Sequence, residues 1–479
     1  MSLSGALSVA LSGLQTSTAA VQVISGNVAN AQTPGYTDKS ISLAEVTNGS
    51  TLGGVQITNY NRVTNNVLSA TLNSATTSAS YLSTQNNYMT QVQSVLDSSN
   101  NPPALSSDLS NFQAAYTQYA ASPSDTTLQQ SVIAAGQSLA NEINGIASQI
   151  TTLQTNVEND LSTAVTGLNT DLTQVQTLNT EISTALANNQ PIVNLEDQRD
   201  QAINQIAQYT NVTVLQRNNG QIALYTASGT PLLDGSADTF SVSTDGKSIV
   251  NSVGGDVSGV LTGGSLQAQT DFLSSSASTA NGVGVINKMQ SQLENFANMF
   301  VSTATGGFSN TYSGTTDPTQ GFFTATIESN GLPDTTSFAV NANLVNGTST
   351  LNNSTALAVS NTFNATNLAI NVDNSSPPPV ETTSSTFSAN GLTTQNQTYS
   401  GIVTAILSGF QQAANAIKTA STTASTQKSY YQSSLSSDTG VNTDTELVNL
   451  TNWENSYAAS AHVISTIQSM MITLEGIVG

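Results

Sequence analysis

Between residues 124 and 186 an apolar residue returns every three or four positions, through Leu128, Val132, Ala135, Leu139, Ile143, Ile146, Ile150, Leu153, Val157, Leu161, Ala164, Leu168, Leu172, Val175, Ile182 and Leu186. That spacing draws a stripe down one side of an α-helix, and no strand reproduces it. At 1.5 Å per residue the helix is about 90 Å long, with Ser124 as the expected N-cap. A chain built on such an element is elongated, and the element serves as a strut rather than as a pocket wall.

Two further stripes stand at the ends of the chain. The first runs Leu3, Leu7, Ala10, Leu14, Val21, Ile24, Val28 and stops at Thr33-Pro34-Gly35, where proline removes a donor and glycine permits positive φ. The second runs Leu450, Trp453, Tyr457, Ala461, Ile464, Ile467, Met471, Leu474 and Val478. Steps of four and three make each a coiled-coil-like seam. Their faces carry almost no charge, so neither gains ion pairs along the helix, and both are expected to order on assembly. The seams pair with each other or with neighbouring subunits, which makes Leu3, Leu7, Leu14, Val21, Ile24, Val28, Leu450, Trp453, Tyr457, Ile464, Ile467, Met471 and Leu474 the expected assembly interface. Ordinary core stripes of one helical domain explain the same pattern equally well.

Between these elements, Val63, Val67, Leu82, Met89, Val92 and Leu96 predict a helix ended by Asn101-Pro102-Pro103, and Leu105, Leu109, Phe112, Tyr116 and Tyr119 a second. Residues 194–209 read as a shorter helix. A hairpin follows, with Val212 to Leu215 and Gln221 to Tyr225 flanking the turn Asn218-Asn219-Gly220. Helical spacing returns over 266–300 and again from Tyr399 to Ile417. The Thr, Asn and Ser-rich stretch between them, with short β-like runs and Pro377-Pro378-Pro379, reads as an inserted β module. The expected class is mainly α with β modules (α+β). Residues 1–38 and 441–479 form the paired terminal helices, 39–304 and 396–440 a long-helix body with a hairpin portion, and 305–395 an outer β-rich domain.

Composition excludes several functions. Eight basic against 29 acidic residues leave a formal charge of -21 over 479 residues, which argues against a nucleic-acid or anionic-lipid surface. No cysteine removes disulfides and thiol chemistry, and a single histidine leaves imidazole chemistry almost nothing. No run of 18 apolar residues is present, so no membrane-spanning segment is expected, and the N-terminal stretch lacks the basic start of a secretory signal. Gly246-Lys247-Ser248 lacks the upstream glycine of a phosphate loop. Glu196, Asp197 and Asp200 surround Arg199 and read as an ion-paired helix face rather than an acid/base pair. Asp438, Asn442, Asp444 and Glu446 do not fit a calcium loop; Asn442 or Thr443 caps a helix whose first turn holds Asp444 and Glu446. No enzyme activity, cofactor or metal is expected.

The segment from Val28 through Asn30, Thr33, Pro34, Gly35 and Tyr36, preceded by Ala10-Leu11-Ser12-Gly13-Leu14, resembles the N-terminal signature of the bacterial flagellar axial family of rod, hook and hook-associated proteins. Two more segments look like its junction-forming members: Asn194 to Asp200 leading into Val212-Thr213-Val214, and Gly440-Val441-Asn442 through Ser465. Where that family usually carries Arg, this chain has His462. The resemblance implies unfolded export through the flagellum's own channel without a cleaved signal, aided by an export chaperone. It also implies assembly as a ring on the hook protein, beneath a second junction protein and the flagellin filament. A hook or distal rod protein of the same family, or a secreted surface adhesin, are the alternative readings.

Overall fold

The computed structural model describes residues 3–48, 51–96, 103–275, 283–302, 307–314, 320–329, 331–366 and 397–478. Its longest element is α4, Thr126–Ala187. The apolar stripe is buried from Val132 to Ile182 except at the half-buried Ala135, while Leu186 at the end is 42% exposed. The cap is Asp125 rather than Ser124: its carboxylate accepts from the Thr127 and Leu128 amides at 2.8 and 3.4 Å. An anion one residue closer to the helix satisfies two otherwise orphan donors and faces the positive end of the dipole.

Ahead of it stand α1, Leu3–Asn30, the antiparallel strands β1, Lys39–Asn48, and β2, Thr51–Arg62, then α2, Asn66–Val95, and α3, Ala104–Ala121. Val63 precedes α2 and is 45% exposed, and Val67 on its first turn is 79% exposed, so of the stripe expected there only the later residues are covered, Leu82 half-buried and Met89, Val92 and Leu96 buried. Asn65 caps α2 through the Leu68 amide at 2.9 Å. Asn101 and Pro102 lie outside the described residues.

After α4 come α5, Val193–Tyr209, and a four-stranded antiparallel sheet of β3, Thr213–Gln216, β4, Ile222–Tyr225, β5, Pro231–Asp234, and β6, Ser236–Ala237. The hairpin β7, Phe240–Val242, and β8, Ile249–Asn251, lies beyond it. This β portion is fastened to the side of α4 by side-chain amides. Asn179 exchanges bonds with the Ile222 backbone at 2.8 and 3.1 Å, and Asn169 does the same with Phe240 at 2.8 and 2.9 Å. An asparagine amide matches a strand's donor and acceptor at once, which seats a strand on a helix without burying an unpaired polar group.

Helical spacing over 266–300 resolves into α6, Gly264–Leu273, and α7, Val285–Val301. The stretch expected as an outer β-rich domain differs from that expectation where it is described. It holds α8, Phe308–Ser313, a single pair of two-residue strands β9, Phe323–Thr324, and β10, Ala339–Val340, and the short helices α9, Ala342–Val345, and α10, Ala356–Thr362. Its aromatic residues join the body's own core: Phe308, Phe322, Phe323 and Phe363 surround Phe112 of α3 with ring centroids 5.3 to 6.0 Å away. Each buried ring contributes about 1.5–3 kcal/mol, and together they outweigh the weak β preference of the intervening Thr. Gly136 of α4 makes room for this layer, since a Cβ there would stand 2.6 Å from Phe322 Cε1. Residues 367–395, including Pro377-Pro378-Pro379, lie outside the described residues.

The chain returns through α11, Tyr399–Thr439, and ends in α12, Thr443–Val478. Gln93 meets Gln411 at 2.9 Å and Asn65 meets Asp438 at 2.8 Å, so α2 and α11 run antiparallel in nearly one-to-one register. At the Asn65 end of this pair both connections lead to the terminal helices, with the Asp38 amide donating to Thr439 O at 2.8 Å.

Candidate assembly interface

α1 carries no charged residue, and it packs lengthwise on α12. The contact line is made of small side chains: Ala10, Ser17, Ala20, Ile24 and Asn27 are buried at 7% exposure or less. Gly13 lies so close to α12 that a Cβ there would stand 3.1 Å from Ser460 Oγ. The two positions of each heptad facing α12 are thus 10, 17, 24 and 13, 20, 27, one residue set back from much of the large-residue stripe. On α12, Glu446 and Ile467 are buried and Trp453 and Ser460 are half-buried on the same seven-residue repeat.

Of the thirteen residues expected at the interface, Ile24 and Ile467 are therefore buried inside the pair itself. Trp453 is half-buried on the contact repeat of α12, and Leu3, Leu7, Leu14, Val21, Leu450, Ile464 and Met471 flank the pair half-buried. Val28, Tyr457 and Leu474 are exposed, at 36, 45 and 50%. Close approach selects the small residues for the contact line and leaves the large ones on open flanks. An apolar notch of about 390 Å³ opens near one end of the pair between Leu3, Met470 and Leu474. By length and composition α1 is apolar enough to cross a membrane, contrary to the expectation from run length, because Ser, Thr and Gly break every run without adding charge. In the structure it lies along α12.

The turn after α1 ties this pair to the body. Thr33 amide donates to Asn30 O at 2.8 Å, Gly35 has φ 77°, and Gln201 of α5 donates to Pro34 O at 3.2 Å. A side chain at Gly35 would be strained in that backbone region and would meet Gln201 at 2.9 Å. Tyr36 donates its hydroxyl to Asn27 Oδ1 at 3.0 Å, and its ring carries the Lys39 ammonium 3.7 Å from the centroid. Burial, with Asp197, Asp38 and Glu446 nearby, pushes the Tyr36 hydroxyl up to about 12, so it stays a donor.

Asp197, at the start of α5 and 4% exposed, is the centre of an ion cluster. It accepts from Lys39 Nζ at 2.9 Å, Arg62 Nη1 at 3.1 Å and Thr37 Oγ1 at 2.7 Å. Arg62 also reaches Glu196 at 3.1 Å and Asp200 at 2.6 Å. Burial disfavours the Arg62 charge, but Asp200, Glu196 and Asp197 outweigh it and hold its pKa above the ordinary value. Arg199 points elsewhere, donating to Gly220 O at 2.7 Å and clamping the hairpin turn, with its pKa lowered by burial. The carboxylates of this segment are thus ion-paired, and they join three parts of the chain rather than decorating one helix.

Asn27, fully buried, is the second centre. Its Nδ2 lies 2.9 Å from Asp38 Oδ1, 2.8 Å from Lys39 O and 2.8 Å from Glu446 Oε2, and its Oδ1 accepts from Tyr36 and from the Lys39 amide at 3.2 Å. Asn442 caps α12 through the amides of Asp444 and Thr445 at 3.1 and 3.3 Å. His462 is exposed on α12. Asn27, Asp38, Lys39 and Arg62 were not evident as site residues in the sequence, although one signal pointed to them. Two of only eight basic residues, Lys39 and Arg62, converge on the acidic 196–200 segment.

Residues 89–305 match the family described as flagellar hook-associated protein FlgK helical domain. Over this span the chain is similar to flagellar hook-associated protein 1. Residues 7–37 match the flagella basal body rod protein family and 432–477 the C-terminal family of the basal body rod FlgEFG proteins. The terminal pair and its turn are therefore what this chain shares with rod proteins, and the helical body is what it shares with hook-associated ones. Flagellar hook-associated protein 1 of Bacillus subtilis (strain 168) is 28% identical over 256 residues, half of each chain. Its namesake in Escherichia coli (strain K12) is 25% identical over 243 residues, 49% of this chain and 44% of that one. The chain spans about half the length of the relatives it matches. The solved hook junction protein FlgK of Burkholderia pseudomallei aligns at 24% identity over 51% of this chain and 44% of that one, with a TM-score of 0.43.

Proposed function

We propose that the chain is a structural adaptor that joins the flagellar hook to the flagellin filament. The observation that carries this reading is the terminal pair: an uncharged α1 on α12, with large apolar residues on its open flanks and an ion cluster fixing it to a long rigid body. Apolar flanks of this kind gain free energy only by being covered. Copies of the chain cover one another head to tail in a ring, with the hook protein on one side and the second junction protein and filament on the other. The work is mechanical and needs no catalytic group, cofactor or membrane insertion. Export through the flagellar channel, with a chaperone holding the apolar flanks beforehand, belongs to the same proposal. Deleting the gene tests it: hooks should remain while flagellin accumulates unpolymerised in the medium, and normal filaments on such cells would overturn the adaptor role.

A further inference from the structure

Asn27 has two amide protons and three acceptors within 2.9 Å of its nitrogen, and two of those acceptors are carboxylates from opposite ends of the chain. Asp38 Oδ1 and Glu446 Oε2 touch the same nitrogen and so lie within about 6 Å of each other, a range at which like charges repel, the more so with Glu446 buried and Asp38 half-buried. No ion pair among the described residues includes either one. Glu446 is 4% exposed, and its other oxygen accepts from the neutral Asn449 amide at 3.2 Å. Nearby cations are engaged elsewhere: Lys39 binds Asp197 and Asn194, at 2.9 and 2.6 Å, and Arg62 binds Glu196, Asp197 and Asp200. The remaining groups around the pair are the Tyr36 hydroxyl, which donates to Asn27, and Asp438 of α11, which adds negative charge beside the Asp38 backbone.

We propose that closure of α12 onto α1 is proton-linked: Asp38 and Glu446 sit together on Asn27 as a pair that keeps one proton, and loss of that proton loosens the first turns of α12 from α1. Asp38 is the group that holds the proton. Burial and the neighbouring Glu446 raise its pKa above the ordinary value, in keeping with this role. A group whose pKa is raised on folding stabilises the closed pair at low pH and loses that effect as pH rises through its folded value. The inference concerns closure of the pair within one chain and holds whatever the pair docks against.

Trp453 provides the test, because it is the chain's sole tryptophan and lies one heptad past Glu446, half-buried on the same face of α12. Its emission in the purified full-length chain should shift to the red as pH rises from 4 to 8, with a midpoint above the ordinary carboxylate range, while far-UV helix content stays level. Asp38→Asn and Glu446→Gln each remove the conflict without changing shape, and both should hold the low-pH emission across the whole range. A flat parent profile, or the same transition in both variants, would overturn the proposal. Should one variant fail to fold, the other decides.

Discussion

Gly13 on α1 and Ser460 on α12 face each other in the terminal pair, leaving 3.1 Å between a Cβ built at Gly13 and the serine oxygen. The serine side chain can turn aside for a methyl group, but not for a branched chain. Gly13→Ala should therefore be near neutral, since relief of glycine's helix cost of about 0.5–1 kcal/mol offsets the squeeze. Gly13→Leu should force the helices apart, and its Trp453 emission should be redder than the parent's at every pH.

Leu14→Asp and Ile464→Asp put a charge on the half-buried flanks of the pair, where a neighbouring subunit would bury it at a cost of several kcal/mol if unpaired. Thermal unfolding of the purified body should be unchanged, whereas incorporation at the hook tip should collapse. Gln22→Asp, on an exposed position of α1, is the tolerated control. Motility of complementing strains measures the difference, and parent-like swimming by both flank variants would remove the flanks from the assembly interface.

Asp197→Ala leaves Lys39 and Arg62 without their shared buried partner. Breaking such a pair by removing one member costs about 3–5 kcal/mol. The loss is local to the joint, so limited proteolysis should cut between α1 and β2 at least tenfold faster in the variant. Cutting rates equal to the parent's would show that Asp197 does not hold the joint.

Glu294 on α7 is 5% exposed, and burial with Glu328 and Asp334 nearby pushes its pKa up to about 7. Its unfolded value is near 4.5. The folded body thus binds the extra proton between those values, and its stability falls as pH rises from about 4.5 to 7, by on the order of 2–3 kcal/mol. Glu294→Gln should remove that slope and unfold at higher temperature than the parent at pH 8. Calorimetry of both chains at pH 5 and 8 measures it; an equal parent Tm at the two values would argue against a buried acid.

The helices were readable in the sequence wherever one face is buried along its whole length, as in α4, because a local stripe is sufficient information. The geometry of the joint was not readable in the same way. Asn27 and Glu446 meet across 419 positions of sequence, and neither belongs to an apolar stripe. The signature residues Thr33, Pro34 and Gly35 mark the turn, yet the turn's neighbours Lys39 and Arg62 bear its ionic contacts with the body. The stretch 305–395 misled in the opposite direction. Its short β-like runs suggested strands, and only the distant Phe112 explains why Phe308, Phe322, Phe323 and Phe363 fold inward. Large seam residues such as Leu14 and Tyr457 drew attention that the contact line gives instead to alanine, glycine and serine.

The antiparallel register of α2 and α11 governs how the molecule carries load. The chain enters and leaves the body at one end, through two helices bonded side by side from Asn65 and Asp438 to Gln93 and Gln411. Tension arriving from the terminal pair therefore pulls on both helices together, along their axes and relative to the body. Their lateral contacts resist as a sheared lap joint, all sharing the strain at once, rather than peeling open one by one like a zip.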